Sequence, residues 1–267
     1  MSAHSLSTET DASTVEIMPV TLGDTPGHRA RIGLIGLSSG LSCEEELHTM
    51  LPPGTLVLTS RVANRNRIDL GTLADMEGDM MRAAATLLPE GHLDALVYSC
   101  TSGTIAMGEK TVFERLRSVR PGVAVTTPFT GAVAALAALE CSRITMLTPY
   151  TQEVTAPMRD ELVRRGLSVV RTVAFGLSLD SEMSSVDPAT VRDMAMAIDS
   201  PEAQALFISC TALRTSSIIE ELETSLGKPV VTSNQALVWH SLRLSGYQEQ
   251  VTGYGQLLRL PLMPVSK

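Results

Sequence analysis

Aromatic side chains make up only 3% of the 267 residues, so the stacking platforms on which single-stranded nucleic acids rest are missing. Basic runs are missing too, and with a formal net charge of -8 phosphate backbones find no counter-charge. Nucleic acid is therefore excluded as a partner. Long apolar runs are absent: "GAVAALAALEC", starting at Gly131, falls short of the roughly 20 residues that cross a bilayer, so no membrane partner is expected. The N-terminal "MSAHSLSTETDAST" has neither the basic start nor the apolar stretch of a secretory signal. It reads as a loose polar tail on a cytoplasmic protein. The four cysteines form no CxxC pair and have no His at ligand spacing, which argues against a metal site, and a reducing cytoplasm disfavours disulfides. Around Gly36, "GLSSGLS" lacks both the G-x-G-x-x-G spacing and an acidic ribose ligand, so no dinucleotide is expected.

What the chain does have is a 44% hydrophobic content, enough for a sizeable core in one large domain or two small ones. It also repeats itself. "ALVYSCTSGT" at 95–104 returns as "ALFISCTALRT" at 205–215, and "RIGLIGLSS" at Arg31 has a counterpart in "RITMLTPYT" at Arg143. The offset from Ile32 to Ile144 is 112 residues and that from Cys100 to Cys210 is 110, as expected of one unit present twice. The elements between these marks correspond. A helix ("CEEELHTML"; "TAPMRDELVRRG" with Gly166 as its C-cap) precedes a strand ("TLVLTSRV"; "LSVVRTVAF"). A longer helix follows ("LADMEGDMMRAAATLL"; "DPATVRDMAMAI"), then the Cys-bearing strand, a further helix ("IAMGEKTVFERLRS"; "SSIIEELETSL") and a short strand ("GVAVTTP"; "PVVTSN").

Such alternation predicts two pseudo-twofold-related, doubly wound α/β lobes of flavodoxin-like parallel sheet, with one continuous open sheet as the alternative. The expected boundaries are a polar tail over 1–30, a first lobe over 31–130, a second over 131–236, and a closing helix and tail over 237–267. A helix from Ala132 to Cys141 should join the halves. Ligands of parallel sheets sit beyond the carboxyl ends of the strands, where Ser38, Ser39, Thr101, Ser102, Tyr150 and Thr211 fall and become candidate substrate-binding residues.

Cys100 and Cys210 would then face one cleft from opposite sides. Each is expected at a helix N-terminus, where the dipole and backbone N–H groups favour thiolate. Two opposed thiols suit proton removal from one face of a carbon and delivery to the other, or addition of one thiolate to an electron-poor carbon. Cys43 and Cys141 lie outside the repeated turns and read as small packing residues, His240 beside Trp239 as packing or capping, and the Met clusters as helix core.

The segments "RIGLIGLSS", "YSCTSGT", "LTPYT", "FISCTALRT" and "LGKPVVTSNQALVWHSLRLSG" resemble the aspartate/glutamate racemase superfamily, within it the maleate cis-trans isomerase and arylmalonate decarboxylase branch, and most closely an ectoine-utilisation group. The resemblance runs from Arg31 to Gly246. It implies a two-lobed cleft, no cofactor, a small-molecule carboxylate substrate, and a homo-oligomer, dimer or tetramer. It also implies Cys100 as nucleophile, Cys210 as proton donor and Tyr150 as a substrate-binding residue. Gly40 and Ser181 depart from the asparagines of maleate isomerases. The expected function is a cofactor-independent isomerase or racemase of a small carboxylate, with the resemblance pointing to ectoine or hydroxyectoine breakdown. The alternatives are a maleate isomerase, an arylmalonate-type decarboxylase, or a carboxylate-binding protein whose thiols merely line the cleft.

Overall fold

The computed structural model describes residue 15 and residues 17–262, so the tail expected over residues 1–14 lies outside the described residues. The first half contains β1 (Ala30–Leu37), α1 (Cys43–Met50), β2 (Thr55–Val62), α2 (Leu70–Ala74), α3 (Glu77–Thr86), β3 (Ala95–Tyr98), α4 (Thr101–Met107), α5 (Glu109–Val119), β4 (Ala124–Thr126) and α6 (Pro128–Ala138). Its four strands form a parallel sheet in the order β2-β1-β3-β4. β3 is buried throughout and β1 nearly so, which is why both read as unbroken apolar runs; β2, at the edge, is half-buried.

The second half repeats the plan with β5 (Arg143–Tyr150), α7 (Gln152–Arg164), β6 (Ser168–Leu177), α8 (Asp180–Ser185), α9 (Pro188–Ala197), β7 (Ala205–Ile208), α10 (Ile219–Leu226), β8 (Val230–Thr232) and α11 (Ser233–Leu244). Its parallel sheet has the order β6-β5-β7-β8, the same as the first. Two sheets, not one open sheet, are thus present. Pro149 has no N–H for the ladder, and beside it the register shifts: Thr148 pairs with Ala174 but Tyr150 with Leu177. The extra residue on β6 includes Gly176 at φ 76°, a bulge that redirects the chain just before α8.

Several boundaries differ from expectation. The helix predicted from Leu73 breaks between α2 and α3, and the one predicted from Ile105 breaks at Gly108, φ 82°. The joining helix runs Pro128–Ala138, not Ala132–Cys141: the Thr127 hydroxyl caps it, Pro128 fills the first position, and Glu140 leaves it at φ 56°. The closing helix starts at Ser233, because Thr232 and Gln235 form a capping box. Gly166 lies one residue beyond the cap of α7, at φ 86°, and with Leu167 closes the helix through bonds to Val163 and Leu162 carbonyls.

α11 is buried from Ser233 to Arg243 and packs against α6 and α1. α6 approaches it so closely that a Cβ on Gly131 would lie 2.7 Å from the Ala236 carbonyl oxygen. The Arg243 guanidinium donates to the carbonyls of Leu260, Tyr247, Glu249 and Leu258, tying the C-terminal segment onto the helix. His240 stacks on Trp239 and bonds Thr126 Oγ1 at 2.7 Å; burial lowers its pKa to about 4, so it is a neutral packing group.

Candidate active site

β3 delivers Cys100 to the N-cap of α4, as expected. Its sulfur accepts the Gly103 N–H at 3.2 Å and lies 3.8 Å from the Ser102 hydroxyl. Thr104 Oγ1 donates to the Cys100 carbonyl at 2.6 Å, completing a turn supported by its own helix. The Tyr98 hydroxyl, which donates to Met76 Sδ at 3.6 Å, lies beside the same turn. Only glycine fits at 103: a Cβ there would lie 2.7 Å from the Tyr98 hydroxyl and 2.9 Å from the sulfur.

The second turn overturns an expectation. No helix starts after Cys210; residues 211–218 form turns, and α10 begins only at Ile219. Cys210 has φ 153°, a strained value for a residue with a side chain. The turn is held from outside. Ser233 Oγ accepts the Cys210 N–H at 3.0 Å, and Ser42 of the first lobe donates to the Ala212 carbonyl at 2.5 Å. The Glu46 carboxylate, on α1, accepts the N–H groups of Thr215 and Ser216 at 2.8 and 2.9 Å and both their hydroxyls. Asn234 Nδ2 donates to the Thr211 and Leu213 carbonyls. The sulfur nonetheless receives the same kind of backbone donor as its counterpart, the Ala212 N–H at 3.3 Å, and the Tyr150 side chain lies near it.

Both thiols are almost completely buried, and Tyr150 reaches both Cys210 and Ser102 from β5. Burial dominates the thiols' acidity. It pushes Cys100 up to about 11 and Cys210 to about 12, against the opposing pull of the amide and hydroxyl donors, and the Asp180 carboxylate raises both further. The expectation of resting thiolates is therefore reversed: desolvation outweighs the helix terminus at Cys100, and Cys210 has no helix terminus at all. Burial likewise raises the Asp180 pKa, against the Ser39 hydrogen bond.

Cys100 and Cys210 do not themselves line the small cavity beside them, which leaves about 20 Å³, room for a single water, among Gly40, Ser42, Cys43, Ser99, Asp180, Thr211 and Ala212. A larger hollow, about 620 Å³, lies elsewhere, between α5 and α7, and no cysteine lines it. Asn66, beyond β2, and Ser181, on α8, exchange two hydrogen bonds, 3.0 and 2.9 Å, and Arg67 bridges Leu179 alongside.

Among the candidate residues, Cys100, Ser102, Tyr150 and Cys210 come together, and Thr211 lines the cleft while its hydroxyl donates to the Ser99 carbonyl across the lobes. Thr101 faces Ser233, 3.0 Å between hydroxyl oxygens. Ser39 reaches Asp180, whereas Ser38 is exposed and bonds Asn64. Sequence reasoning missed Tyr98, Asp180, Asn64 and Ser233. It also misplaced Cys43, which lines the cleft and lies 2.8 Å from Ser99 Oγ, with its thiol pushed by burial to about 12; Cys141 does lie apart, near the Leu139 and Gln204 carbonyls. Among the described residues, no three His, Cys, Asp or Glu side chains gather to hold a metal ion. No helix among them is long and apolar enough to cross a membrane.

Two parallel-sheet lobes with a cysteine at the same strand end in each define a duplicated α/β protein built around a two-thiol cleft. The arylmalonate decarboxylase family model matches residues 75–258, and the chain belongs to that family, part of the aspartate/glutamate racemase-like superfamily. It is 31% identical over 157 residues to arylmalonate decarboxylase of Bordetella bronchiseptica, spanning 58% of this chain and 61% of that protein. It is 25% identical to maleate isomerase of Nocardia farcinica, over 86% and 95% of the two chains. The maleate isomerase of Pseudomonas putida S16, solved with maleate, superposes with a TM-score of 0.81 at 23% identity, covering 86% and 97%. A mutant of the Nocardia farcinica maleate cis-trans isomerase with a covalently bound succinylcysteine intermediate gives 0.80 at 23% identity, covering 86% and 98%. The named members of this family are enzymes, isomerases and decarboxylases.

Proposed function

We propose that this protein is a cofactor-independent isomerase or racemase that acts on a small carboxylate through Cys100 and Cys210. The observation that carries this reading is the matched environment of the two thiols: each lies two residues beyond the corresponding strand of its lobe, is buried, and accepts one backbone N–H, from Gly103 and from Ala212. In the racemase form, one thiolate takes the proton from the carbon beside the carboxylate, becoming a thiol and leaving an enolate. The other thiol delivers its proton to the opposite face and becomes the thiolate, so the pair ends with its protonation exchanged. In the isomerase form, a thiolate adds to one carbon of a C=C bond, the electron pair moves onto the neighbouring carbon as an enolate, the new single bond rotates, and the thiolate leaves again. The succinylcysteine of the Nocardia farcinica enzyme supports the second form.

Ser102 and Tyr150 are the hydroxyl donors placed to hold substrate oxygens. The finer reading, an ectoine or hydroxyectoine substrate, is supported by the resemblance of "FISCTALRT" and "LGKPVVTSNQALVWH". That resemblance also supports a homo-oligomer, which light scattering would read. A second reading, decarboxylation through an enolate with one thiol as proton donor, is favoured by the 31% identity to the Bordetella bronchiseptica enzyme. Proton NMR in deuterated water, with reduced protein and a panel of hydroxyectoine, ectoine, maleate, aspartate and an arylmalonate, separates them. Deuterium entering a retained C–H position, or conversion of maleate to its trans isomer, supports the two-thiol reading. Loss of carboxylate from the arylmalonate alone favours the decarboxylase, and silence across the panel counts against both.

A further inference from the structure

The cleft contains one group for which the two-thiol chemistry has no use. Asp180 is 5% exposed, lines the same cavity as Cys43, Ser99 and Thr211, and is close enough to both catalytic thiols to raise their pKa values. No Lys or Arg pairs with it among the described residues; its one side-chain partner is the Ser39 hydroxyl, 2.5 Å from Oδ2.

A hydrogen-bond relay fixes the direction of that contact. The Ser39 backbone N–H donates to Asn64 Oδ1 at 3.0 Å, which sets the orientation of the Asn64 amide. Asn64 Nδ2 then donates to Ser39 Oγ at 2.6 Å, leaving the single Ser39 hydroxyl hydrogen for Asp180. Oδ2 of Asp180 is therefore an acceptor. Oδ1 has no protein partner on a residue that lines the cleft. A buried carboxylate with one neutral donor and no counter-ion is an incomplete pair, and the residues lining the cleft supply no cation to complete it.

We propose that the missing cation belongs to the substrate: Asp180 selects a carboxylate that also carries a positively charged nitrogen, an amino acid or a cyclic amidinium acid, over a dicarboxylate. A second substrate carboxylate at this position would face like charge where water is largely excluded, whereas an ammonium group or amidinium there completes the pair. The inference rests on the reading of the cleft as a substrate site, and it sharpens that reading to a substrate class.

The test is calorimetric titration of the reduced, full-length protein with ligand pairs that differ in the charge of one end: β-alanine against succinate, and alanine against methylmalonate. The wild type should bind the ammonium member of each pair roughly tenfold or more tightly than the dianion. Asp180→Asn, which keeps size and an acceptor for Ser39, should weaken the ammonium members and strengthen the dianions by similar factors. Asp180→Glu should keep the order of the wild type. Equal or better binding of the dianions by the wild type, equal weakening of both members in Asp180→Asn, or no binding of any of the four overturns the proposal. Binding is read without turnover. A charge preference with no deuterium exchange would therefore sink the catalytic reading alone, and exchange with a dianion preference would sink this one alone.

Discussion

The turn at Cys100 and the turn at Cys210 come from the same repeated sequence, yet they are built differently. The first is the start of a helix, held by its own Gly103 and Thr104. The second has lost the helix, adopts a strained φ at the cysteine, and is braced by Ser42 and Glu46 from the opposite lobe and by Ser233 and Asn234 from α11. What survives divergence is a buried sulfur with one backbone N–H donor, not the scaffold that presents it. The position of a nucleophile can be inherited while its mechanical support is exchanged.

If both turns serve one reaction, replacing either Cys100 or Cys210 by Ser should reduce turnover by about 10²–10⁴-fold with little change in melting temperature. Full activity in either single variant breaks the symmetry and favours a one-thiol reaction. The raised thiol pKa values set the pH response. Below about 11 and 12 the thiolate fraction grows tenfold per pH unit, so iodoacetamide labelling followed by mass spectrometry should accelerate from pH 7 to 10 and modify Cys100 ahead of Cys210. A rate that bends near pH 8.5 and levels off by about pH 10 would mean thiols of ordinary acidity. The sign for stability is opposite: these thiols keep their protons in the fold beyond the unfolded value, so their contribution is full below pH 8.5 and lost as pH climbs towards 11 and 12.

Glu46→Ala leaves buried amide and hydroxyl groups of Thr215 and Ser216 without an acceptor and should cost about 3 kcal/mol in urea unfolding. The same variant should speed labelling of Cys210 and not of Cys100; equal acceleration would mean that the brace serves both turns. Ser233→Ala removes a hydroxyl that touches both turns and should cost about 1–2 kcal/mol, with labelling of both thiols altered. The smallest effect is expected from Thr104→Val, about 1 kcal/mol, confined to the Cys100 side.

The first turn was legible in the sequence because its support is local. Buried strands announce themselves as apolar runs, and "SCTSGT" followed by a helical pattern is a cap and its helix. The second turn was not, because "TALRTSSI" resembles a helix start and is diverted only by Glu46, a residue 169 positions away from Thr215. Asp180 was illegible for a related reason: in "LDSEM" it is one of two acidic residues on a short helix, and only the bulge at Gly176 and the contact with Ser39 aim it inward. The start of α11 did carry a signal, since Thr232 followed three residues later by Gln235 is a capping box in sequence. That the two sheets share one strand order follows from the repeat, because each half meets the same burial problem with the same pattern.

Ser233 sits between the two turns, its oxygen taking the Cys210 N–H while it faces the Thr101 hydroxyl. In mechanical terms it is a pin: one side chain holds the start of α4 and the turn at Cys210 to the same point, so neither turn can shift against the other without breaking one of its hydrogen bonds. The Asn66–Ser181 pair, joining the chain after β2 to α8, is a second tie between the halves.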